Sequence, residues 1–219
     1  MLPRPKAVIF DLDGTLLDTE RLYSLATQEI VDPYGKTFDL TLKRKVMGGD
    51  ARVGAALVIN RLDLPLTVDD FLNKRAVILK KLFVNSQEIV GAGDFLAELS
   101  SKGIPLALAT SSNQALCQLK LSRHRWKTLF SEIVCGDNPG LSNPKPAPDI
   151  FLMCARALKQ SPYNCVVFED SVNGITAAVS AGMSVVAIES PYVATDDLSG
   201  ADVIIEHYQQ HSRLFAQWA

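Results

Sequence analysis

Two aspartates directly follow a short apolar run near the start of the chain. Asp11 and Asp13, in the segment Asp-Leu-Asp-Gly-Thr, follow Ala-Val-Ile-Phe at positions 7–10. Burying a charged carboxylate is costly unless the group is paired or bound to a metal. Gly14 lets the chain turn so that backbone N–H groups can face an anion. The pattern predicts a site with a nucleophilic carboxylate, a second carboxyl group as acid or base, and a cation between them.

Similar apolar runs recur along the rest of the chain. Because they are continuous rather than alternating, they predict strands buried on both faces of a parallel sheet. Helical patterns lie between them, and those over 94–100 and 173–181 end close to a glycine. This alternation predicts an α/β fold, a Rossmann-like doubly wound parallel sheet with its functional residues at the carboxyl ends of the strands. The other predicted strands are 104–109, 132–135, 165–168, 184–188 and 203–205, and a further helix is predicted over 147–158.

The stretch between the first strand and position 90 follows a different pattern. It carries helical apolar stripes over 21–31, 50–62 and 68–84 and no convincing strand. We therefore expect an all-helical cap domain over residues 17–90, inserted into a core domain made of 1–16 and 91–219. The hinge is expected near 16–19 and 89–94, where glycines can absorb backbone rotation. The alternative is a set of surface helices packed on the main sheet.

Composition excludes several classes of protein. The 219 residues carry a net charge of −2, which argues against a nucleic-acid-binding surface. No apolar run approaches the length of a membrane span, and no signal peptide is apparent. The four cysteines have no Cys-x-x-Cys spacing, so we expect reduced core residues. We expect a cytoplasmic monomer without nucleic-acid or membrane partners.

Further polar residues follow other predicted strands. Each alone is compatible with a helix cap, a turn or a solvated charge, but together they converge on one edge of the sheet. The carboxylates outnumber the single lysine there, so an anionic substrate requires a hard divalent cation such as Mg²⁺. The residues in question are Thr110 and Ser111, Lys145, and the pair Glu169 and Asp170.

Four motifs carry a resemblance to a known family. Asp-x-Asp-Gly-Thr, Thr-Ser-Ser, Lys-Pro-x-Pro-Asp-Ile-Phe and Glu-Asp-Ser-x-x-Gly occur in this order across the chain. Together they resemble the haloacid dehalogenase (HAD) superfamily of phosphohydrolases. The helical insert is similar to the small cap of the β-phosphoglucomutase-like group. Shorter segments at 17–24, 46–48, 122–124 and 129–131 resemble the eukaryotic pseudouridine-5′-phosphatase branch.

The resemblance implies roles for the reacting residues. Asp11 attacks phosphorus and forms an aspartyl-phosphate. Asp13 protonates the leaving alkoxide and then activates water. Thr110 and the backbone N–H of Ser111 hold phosphate oxygens, while Lys145 neutralises phosphoryl charge and orients Asp11.

The resemblance also implies a metal site and a specificity region. Mg²⁺ is bound by Asp170, Asp11 and the Asp13 carbonyl, with Glu169 beside it directly or through water. The segment 46–52 has glycines for close approach and polar side chains that can reach over a closed active site. The residues expected to set specificity are Gly48, Gly49, Asp50, Arg52 and Tyr23.

Several functions stay open at this point. An acid at Asp13 favours a phosphatase or a phosphomutase over a dehalogenase or a transport ATPase. The mutase is less favoured, because Tyr23 stands where the mutase cap has a histidine. A non-catalytic phospho-ligand-binding protein is also less favoured, since every chemical position is intact, and His124 is expected to be structural. We expect a small phosphorylated metabolite as substrate, with pseudouridine 5′-phosphate first and sugar, polyol or flavin phosphates as alternatives.

Overall fold

The core of the molecule is a six-stranded sheet in which every neighbouring pair of strands is parallel. The computed structural model describes residue 2 and residues 4–46 and 51–210. The strand order is β3-β2-β1-β4-β5-β6, so β1 lies in the middle with β2 and β4 on either side. The strands are β1 (Ala7–Phe10), β2 (Leu106–Thr110), β3 (Phe130–Cys135), β4 (Cys165–Glu169), β5 (Ser184–Ile188) and β6 (Val203–Ile205).

The continuous apolar runs form strands because helices cover both faces of this sheet. The four helices are α5 (Ala92–Ser101), α6 (Gln114–Leu121), α7 (Asp149–Ala157) and α8 (Val172–Ser180). On β1, Val8 and Phe10 pack with α5 and α6 on one face, and Ala7 and Ile9 pack with α7 and α8 on the other. The doubly wound sheet predicted from the sequence is confirmed, with strand bounds that differ by at most a few residues.

Between β1 and α5 the described chain forms helices joined by short loops. No strand of the sheet lies in 20–46 or 51–85, in agreement with the sequence pattern. Thr67 is the N-cap of helix α4, and its side chain accepts a hydrogen bond from the Asp70 N–H. The segment contains α1 (Glu20–Val31), α2 (Leu40–Val46), α3 (Ala51–Leu62) and α4 (Val68–Phe83), and α2 was not predicted from the sequence.

The chain enters and leaves this helical segment at one place. The Asp18 N–H donates to the Gln87 carbonyl at 2.9 Å, and the Ile89 N–H donates to the Leu16 carbonyl at 2.9 Å. Leu17 and Glu88 form an antiparallel bridge between the two crossings. The two crossings therefore lie side by side next to the carboxyl end of β1, where a hinge is predicted. Division of the chain into a core and a cap domain at 16 and 91 stays a prediction.

The apolar faces of the described helices pack against the sheet or against one another. Within residues 4–46 and 51–210, no helix combines the length and the apolar character needed to cross a bilayer. All four cysteines are free and buried, as expected from their spacing.

Candidate active site

Asp11 is the first residue beyond β1, and its carboxylate contacts a buried lysine. The Asp11 N–H still donates to the Phe168 carbonyl at 3.0 Å, which fixes the residue against β4. Lys145 Nζ lies 2.6 Å from Asp11 Oδ1 and also donates to the Ala109 carbonyl at 3.0 Å. Both side chains are almost fully buried. The ammonium group thus holds the Asp11 carboxylate at the centre of the sheet edge.

Glu169 accepts hydrogen bonds on both of its oxygens. Oε1 accepts from Lys145 Nζ at 2.7 Å, and Oε2 accepts from the Asp170 and Ser171 N–H groups at 2.9 and 3.0 Å. A Cβ atom at Gly174 would lie 1.8 Å from Glu169 Oε1, so the first turn of α8 needs a glycine there. Lys145 therefore links the carboxylates that follow β1 and β4. A role for Glu169 beside a metal stays a prediction.

Burial dominates the electrostatics of Asp11. Loss of hydration raises the pKa of its carboxyl group to about 7, and the neighbouring Glu169 and Asp13 charges act in the same direction. Lys145 opposes this shift, and its own pKa is raised by Asp11 and Glu169 against the effect of burial. A carboxyl group with a pKa near neutrality at the end of a buried strand is typical of a functional site.

Asp13 lies in a different electrostatic environment from Asp11. Its Oδ1 lies 2.5 Å from Lys120 Nζ and 2.6 Å from Thr19 Oγ1, and its Oδ2 accepts from Ser112 Oγ at 2.9 Å. Burial raises the pKa of this carboxyl group, but Lys120 and the hydroxyl donors outweigh that effect, so the pKa is lowered. The pKa values of Asp13 and Asp11 are thus shifted in opposite directions, and Asp13 is the carboxylate that stays ionised at neutral pH.

Lys120 is a site residue that the sequence did not indicate. It lies on α6, is 1% exposed, and its Nζ lies 4.3 Å from the centroid of the Phe83 ring. It also donates to Ser112 Oγ at 2.8 Å. A lysine in the last turn of a helix is ordinarily a solvated charge near the helix C-terminus. The one available signal is its phase on α6, which it shares with the buried Cys117 and Leu121.

Thr110 and Ser111, the predicted phosphate-binding residues, lie on the turn that follows β2. Thr110 ends β2, and its Oγ1 accepts the Ser112 N–H at 3.1 Å, which turns the chain above the strand. A Cβ atom at Gly136 would lie 2.3 Å from the Ser111 carbonyl oxygen, so the loop after β3 packs tightly against this turn. The turn contributes to the wall of the cavity that also contains Asp13.

Asp170 fits the chemistry of a metal ligand. It is 4% exposed, and among the described residues its carboxylate accepts one hydrogen bond, from Thr15 Oγ1 at 3.3 Å, and forms no ion pair. Burial, together with the Glu169 and Asp11 charges, raises its pKa well above the ordinary value. A Cβ atom at Gly14 would lie 2.0 Å from Asp170 Oδ2, so this carboxylate packs against the turn after β1.

The donors available for a cation are hard oxygens. Asp11 and Asp170 interact through their charges, and both follow central strands of the sheet. No group of three or more His, Cys, Asp or Glu side chains in the described part of the chain has a metal-binding arrangement. A cation here would thus be held by these two carboxylates with backbone and ligand oxygens, a donor set suited to Mg²⁺.

A cavity of about 590 Å³ opens between the sheet edge and the helical segment. The predicted specificity residue Tyr23 is in its wall, with its ring 5.5 Å from that of Phe83. Arg52 instead pairs with Asp69 at 2.7 Å, and both side chains are more than half exposed. Gly48, Gly49 and Asp50 lie outside the described residues. The cavity wall includes Asp13, Glu20, Tyr23, Thr27, Phe38, Lys43, Val58, Arg75, Ser111, Asn113 and Asp137.

His124 lies outside this cavity and has structural contacts. Its Nε2 lies 2.9 Å from the Ser86 carbonyl oxygen, and its ring is 4.9 Å from that of Trp126. It directly precedes a short 3-10 helix over Arg125–Leu129. The contact ties α6 to the end of the helical segment.

Comparison with known proteins places the chain in a family. Residues 8–188 match the haloacid dehalogenase-like hydrolase family. The chain is 40% identical over 201 residues to the Drosophila melanogaster protein named "Probable pseudouridine-5′-phosphatase", covering 90% of this chain and 87% of that protein. It is 38% identical over 204 residues to (DL)-glycerol-3-phosphatase 2 of Arabidopsis thaliana, covering 90% and 85%.

A solved structure shares the whole architecture. A Thermotoga maritima protein assigned as a β-phosphoglucomutase superposes with a TM-score of 0.81 at 32% identity over 99% of both chains. The resemblance found in the four sequence motifs is therefore confirmed. The chain belongs to the haloacid dehalogenase-like hydrolase family and is a phosphatase of that family.

Proposed function

We propose that the protein is a Mg²⁺-dependent phosphomonoester hydrolase that acts through an aspartyl-phosphate on Asp11. The observation that carries this proposal is the Asp11–Lys145 contact of 2.6 Å at the end of the central strand, beside a cavity large enough for a small metabolite. Lys145 keeps the carboxylate oriented and supplies positive charge where a phosphoryl group would be attacked. Lys145 contacts two carboxylates, and Asp11 is proposed as the nucleophile because the second oxygen of the other, Glu169, accepts hydrogen bonds from backbone N–H groups.

The reaction divides into two displacements at phosphorus. In the first, an Asp11 oxygen forms a bond to phosphorus, the ester P–O bond breaks, and the leaving alkoxide takes a proton from Asp13. In the second, water attacks phosphorus, its proton goes to Asp13, and the bond to Asp11 breaks to release phosphate. Asp13 is ionised in this structure, because its pKa is lowered despite burial, which is the state that the base of the second displacement needs. To act as the acid of the first displacement it must first take up a proton from water, and the second displacement then returns a proton to it.

The turn after β2 completes the phosphate site. The Thr110 hydroxyl and the Ser111 N–H are proposed to hold phosphoryl oxygens, since both lie on the turn that lines the cavity beside Asp13. Asp170, Asp11 and the Asp13 carbonyl would hold Mg²⁺, with Glu169 beside it. When bound, the ion offsets the carboxylate charges and the charge of the phosphate ester.

Pseudouridine 5′-phosphate is the proposed substrate. The 40% identity to a named pseudouridine-5′-phosphatase supports it, and a cavity of about 590 Å³ suits a mononucleotide or sugar phosphate. The similarity to a glycerol-3-phosphatase supports polyol phosphates as the alternative. Sugar and flavin phosphates complete the group of small phosphate esters to be tested.

The helical segment is proposed to act as a cap that selects the substrate. Residues 17–90 would move relative to the core about the predicted hinge at 16–19 and 89–94, which adjoins the paired crossings where Asp18 bonds to Gln87 and Ile89 to Leu16. Tyr23 and the segment 46–52 would then face the ester group. Exchanging 46–52 for that of a relative should change the preferred ester and leave the chemistry at Asp11 unchanged. Unchanged relative rates across a substrate panel would contradict this assignment.

A panel of phosphate esters tests the proposed function. Values of kcat/KM are measured with Mg²⁺ for pseudouridine 5′-phosphate, uridine 5′-phosphate, glycerol phosphate, hexose phosphates and flavin mononucleotide, and the Asp11→Asn variant serves as the control for contaminating phosphatases. We expect pseudouridine 5′-phosphate to rank first. A preference of about tenfold or more for a hexose or polyol phosphate would overturn the proposed substrate but leave the proposed reaction in place.

A further inference from the structure

Arg75 is a cation in the cavity wall that faces the sheet edge from the helical segment. It lies on α4, is partly buried, and its guanidinium carbon is 5.7 Å from the centroid of the Phe71 ring. No acceptor among the described residues receives a hydrogen bond from the guanidinium, so its N–H groups are left for a ligand. The side chain is thus held in the wall by packing.

The other cations of this region are paired with carboxylates. Lys120 contacts Asp13 at 2.5 Å, Lys145 contacts Asp11 at 2.6 Å, and Lys43 contacts Glu20 at 2.7 Å. Arg75, in contrast, has no ion pair with any residue of 4–46 or 51–210. Its pKa is lowered by loss of hydration, with a partial offset from Tyr23. A partly desolvated guanidinium without a carboxylate is costly unless another acceptor reaches it.

The position of Arg75 separates it from the phosphate end of the cavity. Asp13 and Ser111 lie at the sheet edge, and Lys120 Nζ is 5.8 Å from the centroid of the Tyr23 ring. Arg75 lines the same cavity but lies on α4, in the helical segment. A substrate whose phosphate is at Asp11 would therefore extend from the sheet edge toward the helical segment that carries Arg75.

We propose that Arg75 determines specificity by donating hydrogen bonds to acceptor oxygens at the end of the substrate remote from the phosphate. The substrate class is a phosphate monoester that carries a carbonyl of a planar ring, a carboxylate or a second phosphate at that end. The guanidinium fork can bind any of these with two parallel hydrogen bonds. This inference rests on the proposed function, because it takes the phosphate to be bound at Asp11.

Substitution of Arg75 tests the inference against a matched control. Arg75→Ala is compared with Lys74→Gln, which removes a neighbouring exposed cation on the same helix. The substrates are phenyl phosphate, which has no remote acceptor, pseudouridine 5′-phosphate, and a phosphate ester with a remote carboxylate. We expect Arg75→Ala to lower kcat/KM about 10- to 100-fold for at least one acceptor-bearing ester, through KM, and to leave phenyl phosphate within about twofold.

The variant Arg75→Lys, which keeps the positive charge, distinguishes an anionic acceptor from a ring carbonyl. Arg75→Lys should retain most of the rate with an anionic group, because the charge remains, but lose the rate with a planar ring carbonyl, because the fork is lost. Equal losses for phenyl phosphate and for the acceptor-bearing esters would overturn the inference. So would unchanged KM values for all three esters in Arg75→Ala.

Direct binding separates a failure of this inference from a failure of the proposed function. Calorimetry with the same esters compares Asp11→Asn with the double variant Asp11→Asn/Arg75→Ala. Weaker binding of an acceptor-bearing ester alone supports the role of Arg75 even if no ester is turned over, whereas equal binding by the two proteins overturns it. Absence of turnover by the unsubstituted protein would count against the proposed function only.

Discussion

Lys120 Nζ lies 2.5 Å from Asp13 Oδ1, and this contact ties α6 to the turn that follows the central strand. The side chain of Lys120 is fully buried, whereas the side chain of Asp13 is partly exposed toward the cavity. The pair lowers the pKa of Asp13 against the effect of burial and raises the pKa of Lys120. The pKa of Asp13 is therefore lowered and that of Asp11 raised, although the two residues are two positions apart.

Removing Lys120 should destabilise the protein. Lys120→Met leaves Asp13 buried without its cation, and loss of one partner of a buried pair costs about 3 kcal/mol in the free energy of unfolding. Urea unfolding near neutral pH measures the loss, and Lys127→Met provides an exposed control. An unfolding midpoint equal to that of the control would contradict the importance of this pair.

The same pair fixes a pH range of stability. Because the folded pKa of Asp13 is depressed, its contribution is present above the ordinary value of 3.8 and is lost as the pH falls through the folded pKa. Because the folded pKa of Lys120 is raised, its contribution is present below 10.5 and is lost as the pH rises through the folded pKa. The stability difference between the protein and Lys120→Met should thus be largest between these limits, and a difference that stays constant outside them would contradict the linkage.

Mg²⁺ should stabilise the protein more strongly as the pH rises. Asp11 and Asp170 have raised pKa values in the folded protein, so without metal their burial lowers stability as the pH rises from 3.8 toward about 7. A cation binds the deprotonated carboxylates and competes with protons. The rise in Tm on adding Mg²⁺ should be larger at about pH 8 than at about pH 5, and it should be absent in Asp170→Asn.

Activity should follow the same metal site. Exhaustive EDTA treatment should abolish turnover, and Mg²⁺ should restore it. Ca²⁺ should inhibit, because it takes more ligands at longer distances and can draw both Asp11 oxygens into coordination. Full activity after EDTA treatment would exclude a role for the cation in the reaction.

His124 should prove structural. His124→Ala removes the contact to the Ser86 carbonyl and the packing on Trp126, which should cost about 1 kcal/mol of stability. The value of kcat should stay within about twofold, since the ring lies outside the cavity. A loss of kcat in a protein of unchanged stability would assign the histidine a part in the reaction.

The sheet could be predicted well from the sequence, but the candidate site could be predicted only in part. Continuous apolar runs identify strands that are covered on both faces, and parallel strands bring Asp11, Lys145 and Asp170 to one edge. Lys120 and Arg75 could not be found in this way, because a lysine or arginine on an amphipathic helix ordinarily faces solvent. Their placement depends on how α6 and α4 pack across the opening of the cavity, which a local pattern does not contain.

Asp11→Asn should abolish turnover and leave the fold intact. The loss in kcat should be at least about a thousandfold, because no carboxylate in the described structure can replace Asp11. Glu169 also contacts Lys145, but its second oxygen accepts hydrogen bonds from backbone N–H groups. Asp94→Asn is the exposed control, and circular dichroism checks the fold. Retention of more than about one per cent of activity would contradict nucleophilic catalysis by Asp11.

Trapping the covalent intermediate tests the central claim most directly. Asp13→Asn removes the base of the second displacement, so a phosphoryl group transferred to the protein should be released slowly. The ester is p-nitrophenyl phosphate, whose leaving group needs no proton, so loss of the acid at position 13 does not prevent the first displacement. Acid quenching of this variant with Mg²⁺ and this ester, followed by peptide mass spectrometry, should find the added phosphoryl group on Asp11 at near-stoichiometric level. A protein that releases phosphate steadily while no phosphoryl group is ever found on Asp11 would contradict the account.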